Sequence, residues 1–150
     1  MLTIRKYEET DWKSIERIHD SARKTELKLA GLEEAFVPLQ IAAKRENLFE
    51  YPGLFVAEAD GAVVGFAACT EEELAWLYVD PSRIRRGIGR RLCEYALTVF
   101  PDIRYIEALK GNEPARKLYE SFGFSVTGTE CGKMPGNEDF SVEVYCMERL

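Results

Sequence analysis

Gly87 and Gly89 stand within Arg83-Ile84-Arg85-Arg86-Gly87-Ile88-Gly89-Arg90-Arg91, a stretch that puts five arginines into nine residues. Those residue types suit the capture of an anion. Glycines let a phosphate reach main-chain N–H groups without meeting a Cβ, and the arginines concentrate positive charge beside them. The stretch is not a Walker loop, because no Gly-Lys-Ser/Thr follows. It is not a dinucleotide fingerprint either: the third glycine of that pattern would fall at position 92, which is Leu.

What the glycines can do depends on the elements around them. Leu74-Ala75-Trp76-Leu77-Tyr78-Val79 is an apolar run of six residues with no internal Gly or Pro, which suits a strand covered on both faces. Asp80-Pro81-Ser82 ends it. Ile88, Leu92, Tyr95 and Val99 recur at spacings of four, three and four, one face of an amphipathic helix. The glycines therefore fall where the chain enters a helix, where unpaired N–H groups and a partial positive charge gather. A solvated basic turn would have the same composition; the placement between strand and helix favours the anion site.

Around this centre, residues 2–5 read as a short first strand. Thr10-Asp11 offers an N-cap to a helix carrying Trp12, Ile15, Ile18, His19 and Ala22. From Arg23 to Tyr51 the pattern is hard to place. Leu32, Phe36, Leu39 and Ala43 fit a second helix that Pro38 must kink or begin. Residues 54–59 and 62–69 form a hairpin about Asp60-Gly61. After the amphipathic helix, residues 104–109 make the next strand, and a strand–helix–strand crossover implies a parallel pair. Gly111-Asn112-Glu113-Pro114 opens a short helix that Gly123 ends. Residues 124–129 and 141–147 are the last strands, with 131–139 as a loop between them. The reading is an α/β (α+β) domain spanning 1–150: a mixed, mostly antiparallel sheet of six or seven strands with helices on both faces.

Composition narrows the partners. The chain has 150 residues and a net charge of −6, which argues against a general nucleic-acid binder and weakly favours a cationic or amine partner. No apolar run is long enough for a membrane span, and the N-terminus runs straight to Thr3-Ile4-Arg5-Lys6, so no membrane and no secretory leader are expected. Cys69, Cys93, Cys131 and Cys146 show no C-x-x-C spacing; they read as reduced and mostly buried, in a cytoplasmic protein. His19 is the sole histidine, expected as a half-buried helix residue, and no metal site is expected.

A second pattern lies downstream: Asn112-x-x-Ala115-x-x-x-Tyr119-x-x-x-Gly123-Phe124. Ala115, Leu118, Tyr119 and Phe122 form a one-sided stripe, which alone would make Tyr119 a core residue. With the glycine loop before it, however, the pair resembles the two motifs of the GNAT superfamily of N-acetyltransferases, whose acyl-CoA loop is Gln/Arg-x-x-Gly-x-Gly/Ala. Ile84 departs from that pattern, standing where it has Gln or Arg. The resemblance covers residues 54–128 well.

It implies acetyl transfer from acetyl-CoA to a primary amine, on a small molecule or a peptide N-terminus, without a metal. Main-chain groups of Leu77, Tyr78 and Val79 would face the pantetheine arm on a strand splayed from its neighbour. The pyrophosphate would lie on Arg85, Arg86, Gly87, Ile88, Gly89 and Arg90, and Asn112 would contact pantetheine. Tyr119 would be the general acid, a phenol with a proton to give the leaving thiolate. Glu73, fourteen residues before Gly87, matches the base of the histone-acetyltransferase branch, with ordered water as the alternative; neighbouring carboxylates would raise its pKa. A GNAT-fold module that binds acyl-CoA without transferring it is the competing function. An exposed final strand could pair two copies into a homodimer.

Overall fold

The computed structural model describes residues 1–83, 86–134 and 136–150, so Ile84, Arg85 and Pro135 lie outside the described residues. Within them are seven strands: β1 (Leu2–Lys6), β2 (Gly53–Ala59), β3 (Ala62–Cys69), β4 (Glu73–Val79), β5 (Tyr105–Leu109), β6 (Ser125–Met134) and β7 (Asn137–Glu148). They form one sheet in the order β1-β2-β3-β4-β5-β7-β6. Four α-helices flank it: α1 (Trp12–Leu29), α2 (Leu39–Arg45), α3 (Ile88–Val99) and α4 (Glu113–Glu120).

The amphipathic stripes decide which helix covers which face. Ile88, Leu92, Cys93 and Ala96 of α3 pack with Tyr119 of α4 onto Phe55, Val64, Ala67 and Ile106. Ile15 and Ile18 of α1 and Leu39, Ala42 and Ala43 of α2 pack onto Val56, Phe66, Ala68 and Trp76. β3 lies under both layers and is buried from Val63 through Cys69, as a strand covered twice should be.

Neighbouring strands are antiparallel except β4 and β5, whose parallel pairing stops after Glu73↔Tyr105 and Leu74↔Ile106. At the same place the register between β3 and β4 shifts: Cys69 faces Leu74, Ala68 faces Trp76, and Ala75 has no partner. That is a β-bulge. One extra residue reverses the side-chain alternation, so Leu74 joins the α3 layer and Trp76 the α1 layer. Beyond the bulge, β4 runs free of β5.

The structure resolves what the sequence left unplaced between Arg23 and Tyr51 and differs from it in the last loop. α1 runs on past Ala22 to Leu29; its last turns are so charged that Leu27, fully buried, alone marks the inward face. Pro38 is the N-cap of α2, and Leu32 and Phe36 fall outside that helix. The 131–139 loop is instead the far end of a long hairpin, in which Gly132 pairs with Val142 and Lys133 with Ser141. β6 is exposed from Ser125 to Lys133, so it lacks the alternation that would have identified it.

All four cysteines are free, but only Cys69 and Cys93 are buried; Cys131 is exposed and Cys146 half-buried. His19 is more deeply buried than expected, at 3 % exposure. No helix among the described residues is long and apolar enough to cross a membrane.

Candidate active site

The separation of β4 from β5 creates the site. Leu77, Tyr78 and Val79 pair with Ala67, Phe66 and Gly65 on one edge. In an antiparallel pair, alternate residues turn their N–H and C=O away from the partner strand. Beyond Leu74 no residue of β5 pairs with them, so these main-chain groups face a gap in the sheet.

On the α1 side the gap opens into a cavity of about 170 Å³, lined by Arg23 and Glu26, Glu46 just past α2, Trp76 and Tyr78 of β4, and Glu107 of β5. Glu26 is its hub. It pairs with Arg23 one helical turn earlier, accepts from the Tyr78 hydroxyl at 3.4 Å and accepts from Asn112 Nδ2 at 3.3 Å. His19 also lines the cavity. Its Nδ1 lies 3.0 Å from Asp20 Oδ1, and its ring packs edge-on to Tyr78. Burial pushes the imidazole pKa down. The same Asp20 oxygen accepts the Leu39 N–H at 2.9 Å, fixing the start of α2.

The opposite layer supplies Tyr119. Asn112 caps α4, its side-chain oxygen accepting the Ala115 N–H at 3.4 Å, and Pro114 occupies the first turn where its missing N–H costs nothing. Tyr119 sits one face further along, 8 % exposed within the α3–α4 core. Among the described residues none donates to or accepts from the Tyr119 hydroxyl. Burial pushes its pKa well above the ordinary phenol value, with smaller contributions from Cys93, Glu26 and Tyr78. It is a protonated phenol at neutral pH.

At the end of β4, Asp80 holds the turn: it accepts from the Ser82 N–H at 3.0 Å and the Ser82 hydroxyl at 2.8 Å, and pairs with Arg17 at 3.0 Å. Gly87 is the N-cap of α3 with φ 75° and no side-chain cap, a left-handed conformation that favours glycine. Arg86 and Gly87 are exposed, and the first turn of α3 carries no acidic residue. The N–H groups of Ile88, Gly89 and Arg90 thus begin the helix without a competing carboxylate. Arg90 leans toward α4, reaching Ser121 Oγ at 3.2 Å and the Phe122 ring. Arg85 lies outside the described residues.

Glu73 is separate. It stands where β4 and β5 still pair and lines a second cavity with Glu107 and Glu130. Its pKa is raised as anticipated, but by burial first and then by Glu107, not by Glu71 or Glu72. Tyr78 is five residues further along the strand, roughly 16 Å at a strand's rise per residue. The fold thus places Leu77, Tyr78 and Val79 along the gap, ties Asn112 to it through Glu26, sets Tyr119 on the helix that Asn112 caps, and leaves Glu73 at the closed end. Sequence reading missed Arg23, Glu26, Glu46 and Glu107; the Arg23–Glu26 spacing of three on a continuing helix was the one local signal for the first two.

A family model described as the acetyltransferase (GNAT) domain matches residues 50–126, which hold the hairpin, the bulged strand, the glycine loop and α4. The chain belongs to the GNAT acetyltransferase family. Among its GNAT relatives is the peptidyl-lysine N-acetyltransferase YiaC of Escherichia coli, 36 % identical over 73 residues, which are 48 % of this chain and 49 % of YiaC. The chain spans about half the length of the curated relatives it matches. The solution structure of apo YjaB from Escherichia coli superposes with a TM-score of 0.73 at 22 % identity, covering 100 % of this chain and 98 % of YjaB. YncA of Salmonella typhimurium, solved with its cofactor acetyl-CoA, gives a TM-score of 0.67 at 20 % identity, over 97 % and 91 % of the two chains. These two likenesses establish the GNAT fold.

Proposed function

We propose that this GNAT chain is an acetyl-CoA-dependent N-acetyltransferase that acts on a primary amine. The observation that carries this reading is the gap between β4 and β5, with the start of α3 at one end and Asn112, the cap of the helix that carries Tyr119, bonded to Glu26 beside it. The residues suit acetyl-CoA as donor substrate. The N–H groups of Gly87, Ile88, Gly89 and Arg90 open a helix with no side-chain cap among the described residues and suit a diphosphate, and Arg86 lies exposed beside them. Arg85 belongs to the same proposed cradle.

Acetyl-CoA supplies the acetyl group as a thioester. Leu77, Tyr78 and Val79 present main-chain groups along the free edge of β4, and a Val79 N–H aimed into the gap would stabilise charge developing on the thioester oxygen. Asn112, engaged as cap and with Glu26, acts on the pantetheine arm by fixing the wall it passes. Tyr119 keeps its proton at neutral pH and gives it to the departing thiolate. Glu73 stands at the closed end of the gap, five residues of strand from Tyr78, and takes no part in this chemistry.

The acceptor is an amine in cationic form in solution. The α1-side cavity presents the carboxylates of Glu26, Glu46 and Glu107 against one arginine already paired with Glu26, and Trp76 and Tyr78 offer ring faces to a cation. A lysine side chain fits that description, in keeping with what YiaC is named for.

Thiol release from acetyl-CoA across a panel of amines and lysine peptides tests the reading. Turnover with at least one primary amine is expected. Saturable CoA binding with no release on any of them would instead indicate a binding module.

A further inference from the structure

Glu46 is the most unusual carboxylate of the α1-side cavity. It follows the last residue of α2, and its carboxylate has neither a hydrogen bond nor an ion pair among the described residues. Glu26 in the same cavity is engaged three times over. The tip of the β6–β7 hairpin closes over Glu46: Arg45 donates to the Gly136 carbonyl at 2.7 Å, and a Cβ on Gly136 would lie 3.0 Å from Glu46 Oε2. Glu46 is thus covered by the hairpin and opens toward Tyr78 and Trp76 in the cavity.

The geometry points to Glu46, not Glu73, as the general base that takes the proton from the acceptor's ammonium group. This assignment rests on the acetyl-transfer reading. Glu46 lines the cavity together with Trp76 and Tyr78, along the stretch of β4 that has left β5. Glu73 is at the closed end.

The groups around Glu46 set its basicity. α1 presents Arg23, His19 and Glu26; β4 presents Tyr78, and β5 Glu107. β7 contributes Glu138, and Tyr51 lies nearby. Burial outweighs the attraction of Arg23, and Glu138 adds repulsion, so the carboxyl is raised to about 7. A base near that value suits neutral pH.

The proton balance is as follows. Glu46 takes one proton from R–NH3+ and later releases it to solvent. The freed nitrogen lone pair forms the N–C bond to the acetyl carbon while the C–S bond breaks and its electrons leave on sulfur. Tyr119 protonates that sulfur and is reprotonated by the second proton lost from nitrogen. The products are amide, CoA thiol and one proton.

Two measurements on the intact protein test the assignment. The first is a carbon-13 NMR titration of the side-chain carboxyls, with Glu46 identified by the signal missing in Glu46→Gln. A midpoint near 7 is expected; one in the ordinary carboxylate range of about 4 to 5 overturns the assignment. The second compares background-corrected thiol release with n-butylamine, which must lose a proton, and with hydroxylamine, which is already neutral. Glu46→Gln should slow the butylamine reaction about 10²-fold and leave the hydroxylamine reaction within about threefold, while Glu73→Gln leaves both within about threefold. Equal loss with both acceptors, no loss, or the selective loss appearing in Glu73→Gln overturns it. No thiol release by the wild-type protein overturns the acetyl-transfer reading and the assignment with it. Wild-type turnover with an unselective Glu46→Gln overturns the assignment alone.

Discussion

Asn112 Nδ2 donates to Glu26 Oε2 at 3.3 Å across 86 residues of chain. The bond ties α1 on one face of the sheet to the start of α4 on the other, at the gap where β4 has left β5. The same Asn112 caps α4 through its other side-chain atom, so one residue orients both the helix that carries Tyr119 and the carboxylate that bonds Tyr78.

Asn112→Ala should therefore cost more than a surface cap. The cap alone contributes about 1 kcal/mol, and Glu26 loses a donor besides. A fall in Tm of about 3 °C or more is expected for a chain of this length, read by circular dichroism. An unchanged Tm would mean the bond contributes nothing.

Gly111 and Gly87 separate close approach from backbone strain. Gly111 has φ 106°, and a Cβ there would lie 2.7 Å from the Leu29 carbonyl oxygen at the end of α1; Gly87 has φ 75°, and a Cβ there would meet nothing within 4 Å among the described residues. Gly111→Ala should destabilise by about 3 kcal/mol or more, whereas Gly87→Ala should cost about 1 kcal/mol. Urea unfolding of both variants gives the comparison, and equal losses would contradict it.

Tyr119→Phe removes the hydroxyl but keeps the ring in the α3–α4 core. Turnover should fall about 10²-fold with CoA affinity within about threefold. Unchanged turnover would reduce Tyr119 to a packing residue.

The raised carboxyl of Glu46 carries a stability consequence. Its folded pKa, raised to about 7 from an ordinary 4.5, means the native state holds more protons than the unfolded state between those values. Stability then declines as pH rises through that window. Glu46→Gln should be more stable than wild type at pH 8, with the difference shrinking toward pH 4.5. Thermal melts at both pH values check this; a constant difference would contradict it.

Much of this was legible locally. The strand, turn and helix around the two glycines lie within some twenty consecutive residues, and Asn112 caps the short helix that carries Tyr119, so local spacing sufficed to place these elements. The bulge at Ala75 left no mark, because it interrupts an unbroken apolar run with neither Gly nor Pro. Glu26 and Glu46 were illegible for a different reason. Each lies in a charged stretch that resembles a solvated surface, and acquires its place only through distant partners: Asn112 for Glu26, the hairpin tip at Gly136 for Glu46.

On the proposed function, the free edge of β4 and the start of α3 together bind coenzyme A. Titration of nitrogen-15-labelled protein with CoA, followed through its amide resonances, probes both at once. Saturable binding in the micromolar range is expected, with the largest shifts at residues 77–79 and 86–90. Saturation without shifts at those residues, or no saturation at all, would contradict it.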